Sequence, residues 1–389
     1  MKINWEEIRK NQFPALRDRT HMKAAGGSPM CKSAYNMGKL YFDNIYKKGD
    51  LFWEDYFREM QEARRLMAEY LNCAIEEIAF LFNTSSGIHV ISQLLDQTSL
   101  LYPDAEFPTK ILPFKLKNFH CVKIKSKDNV FRIEDIENLI DLNNNLNCLI
   151  HSYVQFLTGF KQNLKMIGRI THNNNIVNII NATQAFGALP LDVKEQKIDI
   201  LVASGLKWAC CGYGIGILYI KKKILRDKKL PCLSWLSVKD PFRMDNMNTD
   251  IIKKTKAMDG FGGTPNFPAI LALKGSLELV KKIGGDNINI GIQEIYNRIK
   301  SLTNEFIEAI QELGYKIITP TEPKYRSGII TVENRNAKEI FKELLKNNIF
   351  ISLRNYPKSQ RKELLRFSIH YYNTSIDIKK VISVLERLR

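Results

Sequence analysis

No stretch of this sequence approaches the ~18 consecutive apolar residues that a membrane-spanning helix needs, so no helical span is expected. The opening residues, Met1-Lys2-Ile3-Asn4-Trp5-Glu6-Glu7, lack the apolar core of a secretion signal, and a cytoplasmic protein is expected. Cysteine is sparse. The seven cysteines are an odd number without framework spacing, which fits reduced thiols rather than a disulfide scaffold. The six histidines are scattered, with no His-x-x-x-His pair, and no metal site is expected. No Ser–His–Asp constellation is assignable, and no internal repeat is present. With 44% apolar and 25% charged residues, the composition excludes wholesale disorder and collagen-like or low-complexity chains.

What the chain does have is positive charge. Lys+Arg number 58 against 41 Asp+Glu, a formal charge of +17, which raises the question of nucleic acid. The lysines are spread and interleaved with acids, however. Clusters such as Lys221-Lys222-Lys223 and Lys253-Lys254 are short, and no aromatics alternate with them to stack bases. The charge reads as solvated surface with some attraction for small anions, not as a nucleic-acid site.

Short apolar runs alternate with amphipathic stretches, the pattern of a parallel sheet covered by helices. Strands are expected at Ile78–Phe82, Cys148–Ser152, Val177–Ile180, Ile198–Ala203 and Gly216–Ile220, with helices over Phe52–Tyr70 and Gly87–Leu95. The runs Asn143-Asn144-Asn145 and Asn173-Asn174-Asn175 read as loops. From about Pro265 a long helical stretch, broken near Gly284-Gly285, runs to Leu313. Strands at Gly328–Val332, Ile349–Leu353 and Leu365–His370 and helices at Ala337–Leu345 and Ile376–Arg387 then suggest a smaller α+β unit.

The segment from Ile179 to Ile220 carries the chemistry. Two expected strands each end in a polar cluster, as where ligands sit beyond the carboxyl ends of sheet strands. Lys207 lies in an apolar neighbourhood between Gly205-Leu206 and Trp208, with Gly212, Gly214 and Gly216 permitting tight turns beside it. A desolvated lysine has a lowered pKa and is a competent amine for Schiff-base chemistry. The competing reading of the residues alone is a surface lysine beside a Gly-rich turn.

Asn181-Ala182-Thr183-Gln184-Ala185-Phe186-Gly187, followed by Ser204-Gly205-Leu206-Lys207 and a Gly-x-Gly before an apolar strand, resembles the class V aminotransferases. That family depends on pyridoxal phosphate and includes cysteine desulfurases, kynureninases and isopenicillin-N-epimerase-like proteins. The resemblance runs from about residue 20 to 385. It implies fold type I: an α/β large domain with a mostly parallel seven-stranded sheet, and a smaller C-terminal α+β domain. The implied division is an N-terminal segment at 1–20, a cofactor-binding domain at 21–264, and a C-terminal domain with its connecting helix at 265–389. It further implies that Lys207 forms the internal aldimine, Gln184 hydrogen-bonds the cofactor's phenolic oxygen, and Ser204 contacts its phosphate. Thr84 and Ser85, in Asn83-Thr84-Ser85-Ser86-Gly87, take the place of the main phosphate contact, where a helix start favours an anion. Phe107 takes that of the aromatic stacked on the ring. Thr264, in Gly262-Gly263-Thr264-Pro265-Asn266, corresponds to a contact across a homodimer to the partner's phosphate. Arg366, in Leu365-Arg366-Phe367-Ser368, corresponds to the arginine that holds the substrate carboxylate.

Several positions depart from the pattern. Asn181 stands where the family has an acid facing the pyridine nitrogen, which weakens the electron sink that transamination uses more than it weakens β-elimination. None of the cysteines lies beyond Cys232, so the loop Arg354–Gln360 lacks the nucleophilic cysteine of a desulfurase. Phe156 replaces a substrate-binding asparagine, and Leu206 a phosphate-binding histidine. Cys210-Cys211 reads as packing, and His89 as part of a helix face. The implied activity is aminotransferase-type chemistry at the α-carbon of a small amino acid, with Lys207 as acid and base. The alternatives are a β-lyase (C–S lyase) or epimerase-like enzyme, and a binding protein of the same fold without turnover.

Overall fold

Seven strands form the central sheet: β1 (Ile78–Leu81), β2 (Ser99–Pro103), β3 (His120–Ile124), β4 (Leu146–Ser152), β5 (Val177–Asn181), β6 (Ile200–Ser204) and β7 (Gly216–Ile220). The structure is a computed structural model that describes residues 3–388 apart from 128–129, 144, 246 and 357–361. Asn144 of the expected Asn loop and Pro357–Gln360 of the loop after Arg354 lie outside the described residues. The spatial order is β1-β7-β6-β5-β4-β2-β3. β7 runs antiparallel to both neighbours, and every other pairing outside those two is parallel. The central strands are buried throughout, which is why they read as continuous apolar runs rather than alternating ones.

Helices cover both faces. On one side α1 (Lys32–Lys48), α2 (Trp53–Leu71) and α4 (Phe267–Ile283) pack together. α2 buries Tyr56, Phe57, Met60, Ala63, Met67, Tyr70 and Leu71 at helical spacing and ends on Asn72, whose φ of 55° closes it with a left-handed residue. α1 and α4 approach so closely that a Cβ on Gly275 would lie 2.4 Å from the Ser33 carbonyl. The helical break expected at Gly284-Gly285 separates α4 from α5 (Ile288–Glu312).

The C-terminal unit is a four-stranded antiparallel sheet of β8 (Lys316–Ile317), β9 (Ile329–Glu333), β10 (Ser352–Tyr356) and β11 (Lys362–Ser368), in the order β10-β11-β9-β8. α6 (Ala337–Lys346) and α7 (Ser375–Arg387) complete its separate apolar core. The fold is therefore α/β with a mostly parallel seven-stranded sheet and a smaller α+β unit. Among the described residues, no helix is long and apolar enough to cross a membrane.

One edge of the large sheet gathers the polar strand ends. Ser152 is the register partner of Asn181, Asn181 of Val202, Ser204 of Gly216, and Gly216 of Leu81. β5 and β6 end one residue later than their apolar runs suggest, because Asn181 and Ser204 stay in the ladder. The following helix, α3 (Thr84–Leu94), begins three residues before Gly87. Asn83 caps it, its Oδ1 accepting from the Ser86 amide at 2.9 Å while the Ser86 hydroxyl accepts from the Asn83 amide. A Cβ on Gly216 would come within 2.6 Å of the Asn83 backbone, so only glycine lets this cap sit against the sheet.

Candidate active site

At that sheet edge lies a cavity of about 510 Å³. Its walls contain Thr84, Ser85, Phe107, Asn181, Gln184 and Ser204 of the expected cofactor residues, together with Lys207, Phe156 and Arg366. Thr264 is not among the wall residues and is exposed. The separation of these positions in sequence, and their convergence at strand ends, is the geometry expected of a ligand crevice in an α/β sheet.

Lys207 follows β6 in the turn before β7. Burial, then the positive charges of Arg366 and Arg354, push its amine down to about 8 from the ordinary 10.5. Arg366 is itself pulled down to about 9, by burial and then by Arg354. Its Nη1 donates to the Phe156 carbonyl at 2.6 Å and its Nη2 to the Ser352 hydroxyl at 3.4 Å, while its buried Nε has no protein partner among the described residues. Such an orphaned donor in a cavity wall suits an anion. Acetylation at Lys207 of cofactor-free protein, read by peptide mass spectrometry, should rise with pH through a midpoint near 8, because only the deprotonated amine reacts. A midpoint near that of free lysine would contradict the cavity's electrostatics.

The other residues are held by named contacts. Gln184 donates from Nε2 to the Ala25 carbonyl at 3.0 Å and accepts at Oε1 from the Trp208 indole at 2.8 Å, which leaves one amide hydrogen for a ligand. The Trp208 carbonyl also accepts from His370 Nε2 at 2.8 Å, so the turn carrying Lys207 rests on a buried polar chain. Thr84 and Thr183 share a hydroxyl contact of 2.7 Å at the start of α3. Phe107 and Phe156 meet edge to face, with ring centroids 5.4 Å apart. Asn181 Oδ1 accepts from the Thr183 amide at 3.0 Å, so the group this residue has left for the cavity is its Nδ2 donor.

Two cavity residues, and the acid behind one of them, escaped the sequence reading. Lys110 is fully buried, bonded to Glu106 at 2.5 Å and to the Ser152 hydroxyl at 2.6 Å. Glu106 also accepts from the Ser152 amide and hydroxyl, at 2.8 and 2.7 Å. Arg354 is the other cavity residue. Its signal lies in the hairpin register: it faces Leu364, two residues from Arg366, so both arginines leave the same face of the sheet. Cys210 and Cys211 are buried, their thiols pushed up by desolvation, and Cys210 Sγ sits 3.6 Å from His370. His89 is exposed on α3. Among the described residues no group of His, Cys, Asp and Glu could hold a metal ion.

A lysine with a depressed pKa, hydroxyls at a helix start, a ring to cover a planar ligand and an orphaned guanidinium donor fit pyridoxal phosphate in charge and shape. The fold and this cavity define a pyridoxal-phosphate-dependent enzyme of fold type I. Residues 24–381 match the family Aminotransferase class-V, and the chain belongs to that family. It is 22% identical over 374 residues to the uncharacterized aminotransferase YcbU of Bacillus subtilis (strain 168), covering 95% of this chain and 94% of that one. Its fold matches that of an apo cysteine desulfurase from Thermococcus onnurineus NA1, with a TM-score of 0.86 at 19% identity over 100% of this chain and 98% of that one. It also matches the cystine C–S lyase C-DES in complex with its product cysteine persulfide, with a TM-score of 0.84 at 18% identity over 96% and 99%. Pyridoxal phosphate is the cofactor.

Proposed function

We propose that the protein is a β-lyase acting on a small amino acid: it removes the α-proton and releases the substituent on the β-carbon. The observation that carries this reading is the uncharged Asn181, with its oxygen already committed to the Thr183 amide. The cofactor, when bound, supplies an electron sink for charge developing at the α-carbon, and an acid facing its ring nitrogen would strengthen that sink. Asn181 offers a hydrogen bond and no charge, which costs amino transfer more than β-elimination. The fold shared with a C–S lyase agrees.

In this reading Thr84, Ser85 and Ser204 hold the phosphate, Phe107 covers the ring, and Gln184 donates its free amide hydrogen to the phenolic oxygen. The Lys207 amine would take the α-proton and pass it to the β-substituent as that group departs. Arg366 would hold the carboxylate and so orient the bonds at the α-carbon toward Lys207. Phe156 crowds the substrate side, where it packs on Phe107. No cysteine stands in the sequence between Cys232 and the C-terminal arginine strand, so the leaving group departs without passing to a protein thiol. Thr264 serves a second copy of the chain, which makes the working form a homodimer.

Pyruvate and ammonia from β-substituted alanines are the expected products, measured with the purified holoenzyme. Amino transfer to a keto acid without pyruvate would instead establish a transaminase, the second reading, which the likeness to YcbU favours. Asn181→Asp restores the charge, and should raise amino transfer relative to elimination by on the order of 10- to 100-fold. An unchanged ratio would show that the ring electronics do not select the reaction.

A further inference from the structure

The charges in the cavity wall do not balance. Lys110, Lys207, Arg354 and Arg366 all line it, and among the described residues no Asp or Glu does. Lys110 is neutralised by Glu106 behind it. Lys207 is pushed toward its neutral amine. The two arginines remain, side by side on one face of the β10–β11 hairpin, each depressing the cation beside it or depressed by it.

Arg354 is the less explained of the two. Its single hydrogen bond among the described residues runs from Nη1 to the Leu353 carbonyl at 2.9 Å, so most of its donors are unused. It is half-buried, and no described carboxylate pairs with it. A second guanidinium kept unpaired beside a first costs stability through desolvation and like-charge repulsion, a cost that an anion arriving with the substrate removes. The planar fork matches a carboxylate in two parallel bonds, and Arg366 answers for only one such group.

We infer that Arg354 is a specificity-determining residue that binds a second carboxylate, so that the enzyme takes an amino acid whose β-substituent carries an acid group. The inference rests on the proposed amino-acid chemistry at Lys207 and names its substrate class. The hydroxyls of Thr84, Ser85 and Ser204 provide for the cofactor phosphate, which leaves the hairpin arginines to the substrate.

The test is a titration of the holoenzyme with aspartate, asparagine, glutamate, glutamine and alanine, following the cofactor's visible absorption. Each acid and its amide differ by one charge at nearly equal size. At least one acid should bind on the order of 10- to 100-fold more tightly than its amide. In Arg354→Gln that ratio should collapse to about threefold or less, while Arg354→Lys, which keeps a point charge, should retain part of it. Equal binding of acid and amide by the unaltered protein overturns the inference. So does an Arg354→Gln variant that weakens both partners equally, which would assign Arg354 to the shared α-carboxylate, or one that loses the cofactor, which would assign it to the phosphate. If neutral amino acids alter the spectrum and acidic ones do not, this inference fails and the proposed chemistry stands. If no amino acid alters it, both fail.

Discussion

Lys207→Ala should lower kcat/KM by on the order of 10⁴-fold or more, because one amine performs two tasks in the proposed reaction. It anchors the cofactor's carbonyl carbon, and it carries the proton at the substrate's α-carbon. Its depressed pKa, about 8, places it where both tasks run near neutrality. The same variant should not lower the melting temperature. It removes a buried amine that lies beside two guanidiniums and has no carboxylate partner among the described residues, so folding loses a penalty rather than a bond. The paired measurement, turnover and thermal unfolding, separates a catalytic lysine from one that merely fills the turn. Activity within about tenfold of the unaltered protein would remove Lys207 from the chemistry.

The second large effect concerns stability. Asp259→Ala should cost about 3–5 kcal/mol in urea unfolding, because it strands a buried charge. Arg64 is fully buried, and its guanidinium donates to Asp259 at 2.6 Å, to the Ile78 carbonyl at 2.5 Å, and lies 4.8 Å from the Phe80 ring. Asp259 Oδ1 accepts from the Phe80 amide at 2.8 Å. The pair thus satisfies the outer edge of β1, a strand that would otherwise present open ladder positions. Asp259 also begins the turn through Gly260 and Gly262, at φ 63° and 83°, that leads to Thr264. The loss should therefore appear as a lowered urea midpoint and, in the proposed dimer, as weaker subunit association. A cost under about 1 kcal/mol would mean that water satisfies Arg64 as well as Asp259 does.

The parts legible in the sequence are those with local signals. Buried strands announce themselves as short apolar runs, and β7 falls where Gly216–Ile220 places it. Polar clusters at strand ends marked the stretches that hold Asn181, Gln184, Ser204 and Lys207, and the resemblance to the class V family nominated Thr84 and Arg366. Lys110 and Arg354 were missed for a physical reason. Lys110 reads as one more surface lysine in a chain with many, and only the folded sheet puts Ser152 and Glu106 around it. Arg354 gains meaning from a hairpin register twelve residues away, which no local pattern encodes. Gln184 was identified by position, yet its engagement with Ala25 and Trp208 depends on contacts distant in sequence.

The place of β7 in the sheet sets an order of events at the ribosome. β1 is among the first strands to be synthesised, yet its sheet partner is β7, with Leu81 opposite Gly216. Its outer edge waits longer still, for Asp259. A nascent chain that ends before Gly216 has no wall joining Thr84 to Ser204, because the strand between β1 and β6 does not yet exist. Cofactor capture therefore waits until β7, past the middle of the chain, has been made. Until then β1 is an apolar segment without its sheet partner, and contacts this distant in sequence form late in folding.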